Sequence, residues 1–149
     1  MFEFFDSGDF FNSKCQTIVN PVNCVGVMGA GLALEFKKRY PEMYQDYRSK
    51  CAQGKIKLGL PYLFKQDDSL QILNFATKNH YRQKSDLKAI HCGLVFIREN
   101  YKEFDITSLA IPQLGCGLGG LNWEREVYPL FKKELESLDI PVHIYINSS

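Results

Sequence analysis

Asn20-Pro21-Val22-Asn23-Cys24-Val25-Gly26-Val27-Met28-Gly29-Ala30-Gly31-Leu32-Ala33 sets asparagines and glycines between an apolar run and a helical pattern. Residues 15–19 read as a short buried strand, and from Gly29 the apolar spacing becomes helical, with Leu32, Phe36 and Tyr40 on one face. The stretch is a strand-to-helix turn. Glycine brings backbone N–H groups close to a ligand with no Cβ in the way, and a helix N-terminus adds partial positive charge that suits phosphate. The expectation is an anion-binding loop. Its pattern is neither G-x-G-x-x-G nor G-x-x-x-x-G-K-[ST], which disfavours a dinucleotide fingerprint and a P-loop.

A second stretch has the same character: Ile111-Pro112-Gln113-Leu114-Gly115-Cys116-Gly117-Leu118-Gly119-Gly120-Leu121-Asn122-Trp123. It too follows an apolar run and precedes a helix. Two such loops can face each other at the carboxyl ends of adjacent strands, where open α/β sheets bind ligands.

Outward from these loops, residues 2–5 form an aromatic strand pattern broken by Ser7-Gly8-Asp9, where Asp9 by residue type is a turn-former or cap. The first helix ends near Tyr40-Pro41, because Pro41 pushes its predecessor out of helical geometry and suits the start of a new helix. That second helix carries Met43, Tyr44, Tyr47 and Cys51 and stops at Gly54. Residues 61–65 and 70–75 flank a polar turn and read as a hairpin. A polar, basic run over 77–86 leads into a helix with core face Leu87, Ile90, Leu94, Ile97 and Tyr101, capped by Ser85 or Asp86. Residues 108–112 form a buried strand, Val127, Leu130, Phe131, Leu135 and Leu138 a last helix, and residues 142–146 a closing strand. Strands alternating with helices, plus one hairpin, predict an α/β fold: a central mixed sheet between helical layers, one domain over residues 1–149.

Composition narrows the function classes. A 45% hydrophobic content over 149 residues supports a core that buries about two-thirds of the unfolded surface. The net charge of +1 gives no global pull toward nucleic acid or membrane, so any such binding needs a local patch. The N-terminus lacks the basic region of a signal peptide, and no apolar run approaches a membrane span, so the cytoplasm is expected. Five cysteines without C-x-x-C spacing read as reduced thiols. Cys116 has no base near it in sequence and reads as a small residue in a tight loop.

Taken together, Gly8-Asp9-Phe10, Val19-Asn20-Pro21-Val22-Asn23, Gly26-Val27-Met28-Gly29-Ala30-Gly31-Leu32-Ala33, Asn74-Phe75-Ala76-Thr77-Lys78 and Pro112-Gln113-Leu114-Gly115-Cys116-Gly117 resemble the macrodomain, an ADP-ribose-binding three-layer α/β/α fold. The resemblance spans essentially the whole chain. Met-Gly-Ala-Gly before a Phe-Lys-Lys helix, with a lysine after the hairpin, is similar to the branch that holds human terminal ADP-ribose glycohydrolase and the DarG-type antitoxins, which remove ADP-ribose from DNA bases.

The resemblance implies roles residue by residue. Asp9 accepts a hydrogen bond from the adenine amino group beside the backbone of Phe10, Tyr145 lies over the adenine, and Asn23 contacts the distal ribose. Val27, Met28, Gly29, Ala30 and Gly31 form one phosphate loop, and Gly115, Cys116, Gly117, Leu118 and Gly119 form the other. Lys78 acts at the anomeric carbon. On residue type alone, Asn23 also suits an Asx turn, Tyr145 a core position and Lys78 a solvated surface. The chain departs from the human enzyme at Gly119, where that enzyme has an aspartate, so a mechanism that needs both groups does not transfer whole.

A lysine amine acts as nucleophile or base only when unprotonated, and a nearby pyrophosphate opposes that state. The amine must therefore reach the distal ribose while the phosphates lie farther off. His80, Tyr81, Arg82 and Lys84 form a basic, aromatic run suited to single-stranded nucleic acid, or equally a solvated loop. The expected activity is removal of ADP-ribose from thymidine in single-stranded DNA. The alternatives are a non-catalytic reader, or a hydrolase of ADP-ribose 1''-phosphate, O-acetyl-ADP-ribose or ADP-ribosyl-glutamate. Expected partners are ADP-ribose, ADP-ribosylated DNA or protein and a cognate ADP-ribosyltransferase toxin. A monomer with no cofactor, metal or membrane association completes the expectation.

Overall fold

The computed structural model describes residues 2–146. The elements run β1 (Phe2–Asp6), a 3-10 turn (Ser7–Asn12), β2 (Thr17–Val22), α1 (Gly31–Arg39), α2 (Pro41–Ala52), β3 (Tyr62–Lys65), β4 (Gln71–Ala76), α3 (Leu87–Asn100), β5 (Leu109–Pro112), a π-helical turn (Trp123–Val127), α4 (Tyr128–Leu135) and β6 (Val142–Ile146). Six strands make one sheet in the order β1-β6-β5-β2-β4-β3. Every neighbouring pair is parallel except the hairpin of β3 with β4. The sheet is mixed, as the single hairpin predicts.

Because β2 and β4 are covered on both faces, their successive residues serve opposite cores. Val19, Leu73 and Phe75 pack with Ile90, Leu94 and Ile97 of α3 and Phe131 and Leu135 of α4. Ile18, Val22 and Ile72 pack with Phe36 of α1 and Met43 and Tyr47 of α2. The result is the expected three-layer α/β/α arrangement. Asn20 and Asn74, paired across β2 and β4 at 3.0 Å, are buried on the sheet, so these two motif asparagines brace strands.

Boundaries shift where loop chemistry intervenes. β2 begins at Thr17 rather than 15 and continues through Pro21 to Val22. Val22 O accepts from Thr77 N on the β4 side, so by strand alternation Pro21 faces β5, whose pairing with β2 involves only Thr17 and Ile18. The missing N–H of Pro21 therefore falls where β2 and β5 have already parted. Helix α1 begins at Gly31, not Gly29, and Tyr40 sits between α1 and α2 at φ −131° and ψ 69°, out of the helix as its following proline demands. Asp86, not Ser85, caps α3, its side chain accepting from Ala89 N.

The tightest contact between layers is Gly93 of α3 on Phe75 of β4, where an added Cβ would stand 2.2 Å from the Phe75 ring. Gly93→Ala is expected to destabilise by about 1–3 kcal/mol through overpacking, despite the gain of up to about 1 kcal/mol in helix propensity. A thermal melt checks this, and an unchanged Tm would contradict the close packing of α3 on the sheet.

Candidate active site

The carboxyl ends of the strands open into one cleft of about 970 Å³. Strand order sets what lies where along it. Ser7, Gly8, Phe10, Phe11 and Tyr145 line the end over β1 and β6, and Gln113, Gly115, Gly117, Leu118 and Gly119 line the part after β5. Asn23, Val27, Gly29, Ala30 and Gly31 follow β2, and Thr77, Lys78, Tyr81 and Ser85 follow β4 at the far end.

The glycines sort into two kinds. Gly115 (φ 74°) and Gly119 are required by the fold, since a Cβ would stand 2.8 Å from Ile90 at 115 and 2.2 Å from Ser85 Oγ at 119. Gly117 and Gly29 are not. A Cβ at 117 meets nothing within 4 Å, one at 29 meets only Val27 at 3.5 Å, and neither residue has positive φ. Both line the cleft, so the space they leave opens into it. Among the described residues, the N–H groups of Gly117, Leu118 and Gly119, and those from Gly29 to Gly31, have no protein acceptor. Ala30 brings no side-chain cap to α1. Two runs of unspent donors, one at a helix N-terminus, make an anion site.

Lys78 opens the segment between β4 and α3, and that segment is fastened to both glycine loops. Cys24 N of the first loop donates to Asn79 O at 3.0 Å, and Ser85 N donates to Gly119 O of the second at 2.9 Å. Asp86 N closes the neck of the segment on Thr77 O at 2.7 Å. Lys78 is half-buried on the cleft wall. On the cleft wall, the ring of Tyr81 (44% exposed) stacks on His80 at 4.2 Å, and the Arg82 guanidinium lies 5.7 Å from it.

Other expected site residues are placed differently. Asn23 lines the cleft, but its side chain closes an Asx turn: Oδ1 accepts from Val25 N and from the buried Tyr47 hydroxyl, and Nδ2 donates to Val27 O at 2.8 Å. Tyr145 is 3% exposed, stacked on Phe5 and edge-on to Phe10, with one edge on the cleft. Met28 turns into the core and lies outside the cleft lining. Asp9, His80, Arg82 and Lys84 stand outside the lining, Asp9 exposed on the turn that carries Phe10. Cys116 also lies outside it; burial, with Glu126 adding to it, pushes its thiol up to about 11, which suits an inert packing group and not a nucleophile.

The sequence reading missed Phe11, Glu35, Arg39, Thr77 and Ser85, all on the cleft wall. Arg39 lies 4.4 Å over the Phe11 ring, which packs on Phe36, and its place three residues after Phe36 and seven after Leu32, on the flank of the apolar face of α1, was the available signal. Ser85, read only as a helix cap, had none. Among the described residues no cluster of three or more His, Cys, Asp or Glu is placed to hold a metal, and no helix is long and apolar enough to cross a membrane.

Comparison with known proteins accords with this architecture. The DNA ADP-ribosyl glycohydrolase of Mycobacterium tuberculosis is 40% identical over 144 residues, covering 95% of this chain and 41% of that protein. The solved macrodomain of Mycobacterium tuberculosis DarG superposes with a TM-score of 0.91 at 39% identity, covering 97% of each chain. Thermosipho africanus DarTG in complex with ADP-ribose gives a TM-score of 0.88 at 41% identity, covering 94% of this chain and 40% of that one. The chain spans about two fifths of the length of the curated relatives it matches. The Macro domain family profile matches residues 19–127, which run from β2 through both glycine loops, and with the layers and cleft above this means that the chain belongs to the macrodomain family.

Proposed function

We propose that the chain is an ADP-ribosyl glycohydrolase that frees ADP-ribose from thymidine in single-stranded DNA. The observation that carries the reading is the Lys78 segment, tied by main-chain hydrogen bonds to two loops of unspent N–H donors. In this reading the adenine lies at the β1/β6 end beside Phe10 and Tyr145, with Asp9 at its rim. The pyrophosphate lies between Gly29–Gly31 and Gly115–Gly119, and the distal ribose reaches Asn23 and Lys78. The backbones of Met28 and Cys116 complete the loops.

Hydrolysis forms a bond from water oxygen to the anomeric carbon and breaks the bond from that carbon to the base nitrogen. One water proton passes to the unprotonated Lys78 amine, and a proton returns to the departing base. No cofactor enters this balance. The DNA assignment is supported by the His80-Tyr81-Arg82 stack and Lys84 beside the cleft, which offer a base platform and phosphate contacts. It is supported also by relatives named as DNA ADP-ribosyl glycohydrolases. One relative is a DNA ADP-ribosyl transferase-DNA ADP-ribosyl glycohydrolase fusion protein, so we assign this chain a cognate transferase toxin as partner and an antitoxin role in the cytoplasm, acting as a monomer.

Three outcomes are expected. Gly117→Glu removes ADP-ribose binding, measured by calorimetry, while circular dichroism and Tm stay near wild type; unfolding of the variant would return Gly117 to a structural role. Lys78→Ala lowers release of ADP-ribose from a modified oligonucleotide by about 10²–10⁴-fold and still binds ADP-ribose. In the same assay, Arg82→Ala with Lys84→Ala weakens turnover and flattens its salt dependence by a log–log slope of roughly 1–2. Activity surviving in Lys78→Ala would remove it as catalyst, turnover of ADP-ribose 1''-phosphate alone would move the chain to metabolite processing, and binding with no turnover of any substrate would make it a reader.

A further inference from the structure

Ser85 is 6% exposed, yet its side chain reaches the cleft wall between Lys78 and the second glycine loop. The surroundings are built around it. A Cβ on Gly119 would stand 2.2 Å from Ser85 Oγ, and one on Gly115 would stand 2.9 Å from Ser85 Cβ. The side chain thus occupies space that two glycines of one loop leave open, glycines that the Gly115 carbonyl at 119, and Ile90, Leu121 and the positive φ at 115, require as well. Its own N–H holds Gly119 O, and Asp86 N beside it holds Thr77 O, so backbone bonds fix its position whatever the side chain is.

The hydroxyl is left with capacity to spare. It carries one donor and two acceptor lone pairs. Its side-chain contact is with Thr77 Oγ1 at 3.4 Å, long for a hydroxyl pair. Capping of α3 falls to Asp86. A recessed site of this kind admits a small molecule, and an ordered water needs two to four polar partners. Ser85 Oγ, Thr77 Oγ1 and the Lys78 amine belong to one strand end and its closed loop, and all three residues line the same end of the cleft.

Resting on the hydrolase reading above, we propose that Ser85 holds the attacking water beside Lys78. Its hydroxyl orients that water toward the anomeric carbon, while Lys78 takes the proton. A substrate contact would be felt in binding. A held water is felt in turnover and in the choice of attacking molecule.

The test uses the whole chain, a single-stranded oligonucleotide carrying ADP-ribosyl-thymidine, and added methanol as a competing attacker. For Ser85→Ala the expected result is a fall in kcat of about ten- to a hundredfold, with KM and the calorimetric Kd for ADP-ribose within about threefold of wild type. The ratio of methyl ADP-riboside to ADP-ribose among the products rises, and Tm is unchanged. Should the alanine variant be unstable, Ser85→Cys keeps the volume with a much weaker hydrogen-bonding group and gives the same readings. An unchanged kcat and product ratio in a folded variant overturns the proposal and leaves the hydrolase reading standing, as does a loss confined to KM and Kd. No release by wild type overturns the hydrolase reading and this proposal together.

Discussion

Two main-chain hydrogen bonds, Cys24 N to Asn79 O and Ser85 N to Gly119 O, make one object of three loops that leave three different strands. Loops at the edge of a sheet are ordinarily free to move relative to one another. Here the segment after β4 is a bridge, bound to the first glycine loop near its start and to the second at its end, and its own neck is closed by Asp86 N on Thr77 O. A shift of any one loop must break a backbone hydrogen bond that is partly shielded from water, which costs more than a surface contact. The unspent donors and the lysine are therefore held against each other by main-chain bonds between the loops, with the Asn23 side chain bracing the first loop from within.

The same bridge accounts for Gly119. A side chain at 119 would collide with Ser85 Oγ and with Gly115 O, at 2.2 and 2.5 Å. The Gly115 carbonyl is main chain and cannot swing aside, so glycine is needed at 119 whatever stands at 85. The volume an acid would occupy holds a neutral hydroxyl instead. Among the described residues, the ionisable side chains that line that end of the cleft are Lys78 and Tyr81, and neither is an acid of the carboxylate kind.

How much of this was legible in sequence follows from range. The strand and helix patterns, the hairpin and the glycine loops are local, and they appear nearly as read, with errors where a residue answers to a distant partner. β2 runs through Pro21 because β5 has already parted from it, and Asn23 is spent on Val25, Val27 and Tyr47 of another helix. The role of Ser85 depends on Gly115 and Gly119, thirty or more positions away, and no local pattern carries that. The four glycines of the second loop look alike in sequence. Only the space around each separates Gly117, which leaves room for a ligand, from Gly115 and Gly119, which leave room for protein.

Strand order resolves the electrostatic conflict that a lysine beside a pyrophosphate site raises. The unspent donors follow β5 and β2, which are neighbours, whereas Lys78 follows β4, one strand farther along the sheet. Adjacent strands lie about 4.8 Å apart, so a lysine on the next strand starts one such spacing from the loop edge and about one and a half from the midpoint between the loops. Coulomb attraction between unit charges falls with distance and with water between them, from about 4 kcal/mol at 4 Å at an effective dielectric of 20 to about half that at twice the distance. Placing the lysine on β4 rather than on β2 thus sets it at the end of the cleft one strand away from the unspent donors, while the cleft still spans from one to the other. The hairpin makes this possible: by returning the chain antiparallel through β3, it sets β4 beside β2 with its carboxyl end at the cleft.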